Sequence, residues 1–280
     1  MDKIIRAVSK DKRFYAVCAE TGYLVRKAAD AFSLSPATSI LFGRALTASA
    51  MLGIALKDES ESLAFRFEGD LRMTTVSNSK GYVKGMISNP YWMPEENKAL
   101  GSAFGSNGFL TVIKDLGLKE PYSGQIALKS GEIAEDITEY YQKSEQLPFC
   151  CSLGVLLDKE SENLAVKSAG GFIISAMPNC EEELLKELDL NIAVLPNVTD
   201  MLASGMTSQD ILAAALKGFD FEITDTVTPR YYCDCSREKI RKMLLSLSKE
   251  DLEKLREDEQ TEVICHWCNT KYIFKPEELK

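Results

Sequence analysis

The chain contains 280 residues, of which 45% are hydrophobic and 27% are charged. This balance is typical of a folded globular protein and excludes a wholly disordered chain. Lysine and arginine number 33 against 42 aspartates and glutamates, so the net charge is −9. An acidic chain without a lysine-rich or arginine-rich tract binds polyanions poorly, and we expect no nucleic-acid partner.

The first twelve residues are charged and lack an apolar run, so we expect no secretory signal. The most apolar stretch, residues 31–56, is divided by Arg44 into charge-free runs of 13 and 12 residues. Both runs are shorter than the roughly 20 residues that a membrane-spanning helix needs. We therefore predict a cytoplasmic protein without a membrane partner. In that compartment, clustered cysteines favour metal binding or redox chemistry over structural disulfides.

The net charge is concentrated in one part of the chain. Residues 181–226 carry ten acidic and two basic side chains, a net charge of −8. Residues 1–180 have a net charge of −1, and residues 229–280 have none. From this segregation we predict a core domain over residues 1–179, a metastable helical linker over 180–231 and a small C-terminal domain over 232–280.

The first region is predicted to mix helices with antiparallel strands. Ser35, followed by proline, is an N-cap that begins a helix extending to about Leu56, and Ile133, Ile137 and Tyr140 mark a second helix. Alternating apolar residues and turn signals predict strands near residues 63–67, 72–76, 82–87, 152–157 and 164–168. The sequence lacks the regular alternation of strands and helices that a doubly wound sheet requires, so the predicted class is α+β. The predicted architecture is an N-terminal domain with an antiparallel sheet and packed helices, a helical linker and a small C-terminal module.

The acidic middle region is predicted to contain two helices with a break between them. The first covers residues 181–190, Pro196 interrupts the pattern, and the second covers residues 207–217 and stops at Gly218. The apolar side of the second helix carries Ile211, Leu212 and Leu216. Such a segment has a weak tendency to fold alone, and we expect it to need a surface on which to dock.

The last region is predicted to contain helices followed by a hairpin. Ile240, Met243 and Leu244 have the spacing of one helix face. Ser248 resembles the start of a capping box for a further turn or two of helix. The hairpin is predicted over residues 263–274, with a cysteine turn between its strands.

Four of the eight cysteines form two close pairs, C-x-C and C-x-x-C, separated by 29 residues. Two such pairs can complete the tetrahedral sulfur sphere that zinc prefers, with Zn–S distances of about 2.3 Å. We therefore predict one zinc ion per chain in the reduced state, held by Cys233, Cys235, Cys265 and Cys268. The alternatives are four ordinary cysteines that happen to cluster, or two separate dithiols.

A zinc site of this kind can be purely structural or can act as a switch. The last 52 residues offer too small a core to fold well alone, so metal binding would supply much of their stability. Adjacent thiols can also form disulfides without a distant partner, and the small ring closed by C-x-C would be strained and comparatively oxidising. A protein built this way would be folded when reduced and zinc-bound, and unfolded when oxidised.

The other candidate residues carry weaker signals. Cys18, Cys150, Cys151 and Cys180 are predicted to be core residues, since cysteine is among the most buried residue types. His266 is the single histidine and lies between two predicted ligands, where a surface or supporting role is favoured over direct ligation. A Ser-His-Asp or Cys-His catalyst would have to use this one residue, so we predict that the protein is not an enzyme.

Short stretches along nearly the whole chain, together with the spacing of the two cysteine pairs, carry a family resemblance. The stretches are residues 44–48 (RALTA), 67–70 (FEGD), 114–117 (KDLG), 122–124 (YSG), 130–136 (SGEIAED), 144–146 (SEQ), 169–172 (AGGF) and 265–269 (CHWCN). With them the chain resembles the redox-regulated thirty-three-kilodalton heat-shock chaperones of bacteria. Residue 267 is tryptophan, where relatives often have a different aromatic residue, and this position is not a predicted ligand.

The resemblance implies a holdase that binds unfolding proteins without ATP and prevents their aggregation. Zinc and four thiolates keep such a protein inactive. The resemblance further implies that oxidants such as peroxide or hypochlorite form the disulfides Cys233–Cys235 and Cys265–Cys268 and release the metal. The linker then loses order, and the active form becomes a homodimer. The implied partners are unfolded or oxidatively damaged client proteins.

The acidic linker offers a mechanism for client binding. If its docking is lost, the apolar side formed by Ile211, Leu212 and Leu216 reaches solvent, and exposed apolar area captures partly unfolded proteins. We therefore interpret these three residues as client-binding. The net charge of −8 on this segment would help to keep client complexes soluble.

Two other function classes stay open at the level of the residues. A zinc-ribbon nucleic-acid binder is disfavoured by the neutral C-terminal region and the acidic linker, and a salt-dependent titration with DNA or RNA would identify one. A thiol oxidoreductase would use Cys265 and Cys268, and it would turn over in an insulin-reduction assay, whereas a switch would not.

Overall fold

The computed structural model describes residues 1–161, 165–177 and 180–280. The chain forms two compact units, Met1–Tyr231 and Tyr232–Lys280. Both units combine helices with mostly antiparallel strands, which confirms the predicted α+β class. In the described residues, no helix has both the length and the apolar character that crossing a bilayer requires.

The first unit contains two sheets and the helices packed on them. Its described strands are β1 (Lys3–Ser9), β2 (Phe14–Glu20), β3 (Ser62–Glu68), β4 (Met73–Ser77), β5 (Tyr82–Ile87), β6 (Phe109–Asp115), β7 (Tyr122–Ala127), β8 (Phe149–Leu157), β9 (Val166–Ala176), β10 (Phe221–Val227) and β11 (Arg230–Tyr231). Its described helices are α1 (Gly22–Phe32), α2 (Pro36–Gly53), α3 (Ile133–Lys143), α4 (Glu182–Ala193), α5 (Val198–Ala203) and α6 (Ser208–Ala215), with a 3₁₀ turn at Leu100–Phe104. One sheet has the order β10-β1-β2-β9-β8, and the other has the order β11-β5-β4-β3-β6-β7.

Helix α2 occupies the space between the two sheets. Ser35 caps it as predicted, since its Oγ accepts a hydrogen bond from the backbone N–H of Thr38 at 3.2 Å, and Pro36 fits the first turn. Fifteen of its 18 residues are buried, and it packs against strands of both sheets. Its small side chains allow this close approach. The helix ends at Gly53 rather than at Leu56.

The five-stranded sheet separates two hydrophobic cores, because neighbouring side chains on a strand point to opposite faces. On β2, Val17 and Ala19 face a first core that includes α1, α2 and α3, whereas Ala16 and Cys18 face a second core. Helices α4, α5 and α6 complete the second core. Their buried apolar residues are Leu184, Leu188, Val198, Met201, Ile211, Leu212 and Ala215. The acidic middle region is thus ordered against one face of this sheet.

Most predicted elements of the first unit are present with small shifts. The predicted strands near residues 63–67, 72–76 and 82–87 are β3, β4 and β5, the second helix is α3, and the two linker helices are α4 and α6. Strand β8 begins at Phe149, ahead of the predicted start. The strand predicted over residues 164–168 begins at Leu164, which lies outside the described residues, and β9 continues well beyond it to Ala176.

Several elements are not predicted by the sequence patterns, and the most consequential is β10. This strand lies inside the predicted linker and pairs with β1 from Ser9 and Phe221 to Ile4 and Val227. The linker segment therefore supplies an edge strand as well as helices to the first unit. The division of function between residues 1–179 and 180–231 stays a prediction. The other unpredicted elements are β1, β2, β6, β7, β11, α1 and α5.

The second unit is small and built around a hairpin. Its elements are α7 (Arg237–Leu245), α8 (Lys249–Glu257), β12 (Thr261–Ile264), β13 (Lys271–Phe274) and a 3₁₀ turn at Pro276–Leu279. As predicted, β12 and β13 form an antiparallel hairpin, and Ser248 caps α8 by accepting a hydrogen bond from the N–H of Asp251 at 3.1 Å. The core of this unit buries Leu244, Phe274 and Leu279. Such a core is too small to stabilise the unit strongly by itself.

Candidate metal centre

The hairpin turn between β12 and β13 carries Cys265 and Cys268. The backbone N–H groups of Cys268 and Asn269 donate to the carbonyl of Cys265 at 3.3 and 2.8 Å, and the N–H of Cys265 donates to the carbonyl of Thr270 at 2.9 Å. Asn269 has a φ of 55°, a left-handed conformation that asparagine adopts more readily than most residues. The turn is therefore held by backbone hydrogen bonds independently of the two sulfurs.

Cys233 and Cys235 lie in the segment that leads into α7. Ser236 caps this helix by accepting a hydrogen bond from the N–H of Lys239 at 3.2 Å. The Nζ of Lys239 reaches back and donates to the carbonyl of Asp234 at 2.9 Å and to its carboxylate at 2.7 Å. Lys239 thus fastens the residue between the two cysteines to the first turn of α7.

The two pairs of cysteines converge at one point. All four Sγ atoms lie within 4.8 Å of one another. The Sγ atoms of Cys233 and Cys265 are 3.8 Å apart, and those of Cys235 and Cys268 are 3.3 Å apart. A tetrahedral metal ion with metal–sulfur distances of about 2.3 Å separates its ligands by about 3.8 Å. The four sulfurs therefore fit a tetrahedral metal ion, and they form the one such cluster found among the described residues.

The environment of the four thiols is uneven. Burial is the largest cause that raises the pKa of Cys233 and of Cys235. Burial also acts to raise the pKa of Cys268, but hydrogen bonds with Thr270 and with the neighbouring cysteines outweigh it, and this pKa is lowered. Cys265 is the most enclosed of the four, with 7% of its surface exposed. Four thiolates this close repel one another, so a cation is needed to keep all of them deprotonated together.

Two residues beside the sulfurs are not singled out by the sequence patterns. The hydroxyl of Tyr272 lies 3.1 Å from the Sγ of Cys235, and the Oγ1 of Thr270 lies 3.1 Å from the Sγ of Cys268. The contact with Cys235 is the main cause that raises the pKa of Tyr272. The sequence signal for them is their spacing. Thr270 and Tyr272 are two residues apart where the turn leads into β13, and side chains two apart in an extended chain point to the same side.

The remaining candidates lie away from this cluster. His266 is exposed, as a surface role predicts. Cys18 is fully buried, as core packing predicts, whereas Cys150, Cys151 and Cys180 are partly buried and pack against the two cores of the first unit. All eight cysteines are free thiols. The predicted client-binding residues Ile211, Leu212 and Leu216 are 0%, 0% and 1% exposed.

Comparison with known proteins agrees with the resemblance found in the sequence. The 33 kDa chaperonin of Clostridium beijerinckii is 39% identical over 286 residues, covering 99% of this chain and 97% of the relative. That of Clostridium botulinum strain Alaska E43 is 40% identical, covering 99% and 96%. The crystal structure of the 33 kDa chaperonin (heat shock protein 33 homolog) of Thermotoga maritima matches with a TM-score of 0.91 at 33% identity, covering 99% of this chain and 96% of that one. The model of the Hsp33 protein family matches residues 2–275, and the chain therefore belongs to the Hsp33 family.

Proposed function

We propose that the chain is a redox-regulated, ATP-independent holdase chaperone, inactive when reduced and zinc-bound and activated by disulfide formation. The observation that carries this proposal is the convergence of four thiols, from two pairs that are close in sequence, in a unit with a very small core. A folded state that depends on ligated thiolates is lost when those thiolates become disulfides. Oxidation is therefore coupled to unfolding of the second unit.

The metal in this proposal is zinc, held by Cys233, Cys235, Cys265 and Cys268. When bound, zinc would supply the positive charge that keeps four thiolates together in a closed tetrahedral site. The all-sulfur donor set favours this ion over magnesium or calcium, which prefer oxygen ligands. Without a cation, most of these cysteines would be protonated instead.

Oxidation is proposed to join Cys233 to Cys235 and Cys265 to Cys268. In the folded unit the sulfur distances do not select this pairing, because cross-pair contacts are as short as 3.3 Å. The chain itself favours it once the unit loosens, since closing a loop of one or two intervening residues costs less entropy than closing one of about 30. Each disulfide formed from two thiolates gives two electrons to the oxidant; with two protons from solvent, peroxide is thereby reduced to two molecules of water.

Release of α4, α5 and α6 is the proposed activating step. Residues 180–231 are the part of the first unit that leads directly to Cys233, through β10 and β11, so disorder that begins in the second unit can spread along the chain. Undocking would expose the apolar sides of the helices, including Ile211, Leu212 and Leu216, together with the sheet face beneath them. That apolar area is the proposed binding surface for unfolded clients.

Two further properties belong to the proposal. Eight free thiols suit the reducing cytoplasm, where a thiolate metal site persists until oxidant appears. The active form is proposed to be a homodimer, because two copies that each expose an apolar face can cover part of it against each other. Analytical ultracentrifugation before and after oxidation tests this expectation.

The direct test combines zinc content with an aggregation assay. Reduced protein is expected to contain one zinc per chain and to leave a thermally aggregating client unprotected. Peroxide treatment is expected to release the zinc and to suppress light scattering by the client. Zinc release without protection, or protection by the reduced zinc-bound form, would overturn the proposal.

The same preparations discriminate the alternative functions. A holdase is expected to bind DNA and RNA no better than other acidic proteins at low salt. It is also expected to show no catalytic turnover with insulin and a thiol reductant. Turnover that requires Cys265 and Cys268 would instead identify a thiol oxidoreductase.

A further inference from the structure

Three of the four cysteines outside the metal centre lie at one interface, the contact between the five-stranded sheet and helices α4 to α6. Cys18 on β2 is 0% exposed in this core, and Cys150 on β8 and Cys180 pack against it. Cys151 is the next residue along β8 and packs against the first core on the opposite face. With the three helices on the sheet, Cys18 is thus closed off from solvent and Cys150 is partly covered.

Helix α4 covers Cys150 directly. A cavity of about 130 Å³ lies between them, and its lining includes Cys150 from β8 and Leu188, Asp189 and Ile192 from α4. This cleft is partly open to solvent, and a peptide-sized group on the sulfur would compete for it with the α4 side chains that line it. Burial raises the pKa of Cys150 to about 11 and also raises that of Cys18, so both thiols are protonated in the docked state and react slowly.

Cys18 and Cys150 are too far apart to form a disulfide with each other. Cys18 pairs in register with Phe172 on β9, and Cys150 pairs with Ile174 on the other side of the same strand. The two cysteines are thus two strands apart, which is about 10 Å at about 4.8 Å per strand. A disulfide joins Cα atoms no more than about 7 Å apart. With the sheet intact the two do not pair with each other, and either can form a disulfide with a separate molecule.

We propose that Cys18 and Cys150 are a second modification site, which opens when α4 to α6 leave the sheet and then takes a small-molecule disulfide. The inference rests on the proposed function, since it requires the helices to leave. The cysteine gives its proton to solvent, and its thiolate attacks one sulfur of the reagent. A new S–S bond forms, the S–S bond of the reagent breaks, and the other half of the reagent leaves as a thiolate.

The adduct affects how the active protein returns to its inactive form. It occupies the space that the apolar side chains of α4 and α6 need, so these helices cannot return to the sheet while it is present. Reduction of the metal-site cysteines alone then leaves the client-binding surface open. The second site keeps the protein active until its own mixed disulfides are reduced.

The first experiment maps thiol reactivity on the full chain with glutathione disulfide as the probe and mass spectrometry as the readout. Cys18 and Cys150 are expected to form adducts at least tenfold faster after peroxide activation than in the reduced zinc-bound form. Cys151 is the matched control, because it is next to Cys150 but faces the first core, and its rate is expected to stay unchanged. A reduced Leu212→Asp chain is mapped in parallel, so that helix release is also tested without oxidant.

The second experiment tests persistence of the active form. Peroxide-activated protein, whose metal-site cysteines are protected as disulfides, is treated with N-ethylmaleimide, cleared of reagent, reduced and supplied with zinc. It is expected to regain one zinc per chain yet retain at least half of its holdase activity, whereas protein without maleimide loses it. The chain with Cys18→Ala and Cys150→Ala is expected to lose its holdase activity on reduction and zinc addition whether or not it was treated with maleimide.

The outcomes separate this inference from the proposed function. Absence of zinc release or of holdase activity on oxidation contradicts the proposed function, and the Leu212→Asp chain then decides the inference. Oxidation can also release zinc and produce holdase activity while Cys18 and Cys150 stay as unreactive as in the reduced form. In that case the inference is wrong and the proposed function is supported. Full inactivation of the maleimide-treated protein, with Cys18 and Cys150 shown to be modified, also overturns the inference.

Discussion

The two faces of the five-stranded sheet are covered in different ways. On one face α2 is a single helix of 18 residues with 15 of them buried and no acidic residue. On the other face α4, α5 and α6 contain 12, 6 and 8 residues and bury only 2, 2 and 4 of them. Short helices with little burial separate from a protein at a lower free-energy cost than a long enclosed one. We therefore call the first face a permanent core, and we expect the second to be the one that opens in the proposed switch.

The largest expected effect comes from removing a metal ligand. Cys265→Ser should abolish zinc binding and unfold residues 232–280, because structural zinc contributes about 10–16 kcal/mol to modules of this kind. Zinc analysis and limited proteolysis of the second unit measure both changes. His266→Ala is the matched control, since it lies within the same turn but is exposed, and it should keep its zinc. If the Cys265→Ser chain keeps a normal zinc content and a protease-resistant second unit, Cys265 is not a zinc ligand.

A charge in the second core should open the sheet face without oxidation. Leu212→Asp places a carboxylate at a fully buried position, which should weaken docking by about 3 kcal/mol or more. The reduced, zinc-loaded variant is expected to protect an aggregating client better than the reduced parent, though less than oxidised protein, because the charge lies on the proposed client-binding side of α6. Leu190→Asp is the matched control, because Leu190 on α4 is 69% exposed and should leave the protein inactive. If the Leu212→Asp linker is protease-sensitive but gives no protection, linker release is not the activating step.

A smaller change should loosen α5 alone. Gly154 on β8 lies under this helix, and an added Cβ would come within 2.7 Å of the Cγ1 of Val198 and closer still to Thr199. Gly154→Ala should therefore weaken docking by about 1–3 kcal/mol through overpacking, and partial holdase activity should appear under reducing conditions. Gly22→Ala is the control, since a Cβ there has no neighbour closer than 3.7 Å. If the two variants protect the client equally in the aggregation assay, α5 does not help to cover this face of the five-stranded sheet.

The smallest expected effect concerns the order of oxidation within the metal centre. Cys265 and Cys268 should form their disulfide before Cys233 and Cys235, because the C-x-x-C ring is larger and less strained. We expect a rate ratio of about five, which corresponds to about 1 kcal/mol in the barrier. Mass-spectrometric mapping under limiting peroxide measures it. Earlier appearance of the Cys233–Cys235 bond would reverse the order.

Helix α2 on the first face and helices α4 and α6 on the second are predictable from sequence, whereas α1, α5 and the strands β1, β2 and β10 are not. Helix α2 carries its own signals, an N-cap serine followed by proline, and the strands β3 to β5 show alternation because one side of their sheet is exposed. The sulfur cluster was predictable for a similar reason, since the C-x-C and C-x-x-C spacings are local. In each case the residues that determine the local structure lie within a few positions of one another in the sequence.

Strand β10 shows why the rest could not be predicted. Most of its residues are exposed and several are acidic, so its sequence has the character of a linker. It is a strand because β1 offers an open edge more than 200 residues away in the chain, which is a tertiary effect. The second core has the same origin, because Cys18 and Ile174, which line it from the sheet, lie on strands whose near-continuous burial gives no alternation. Cys18 and Cys150 appear unrelated in sequence until the sheet places them on one face.

The central claim is that oxidation uncovers one face of the sheet and leaves the other closed. Hydrogen–deuterium exchange of the full chain, before and after peroxide, measures this for each helix. The account predicts that the amides of α4, α5 and α6 lose their protection together with zinc release, while those of α2 keep theirs. Holdase activity that appears while α4 to α6 stay protected, or loss of protection that extends equally to α2, would contradict it.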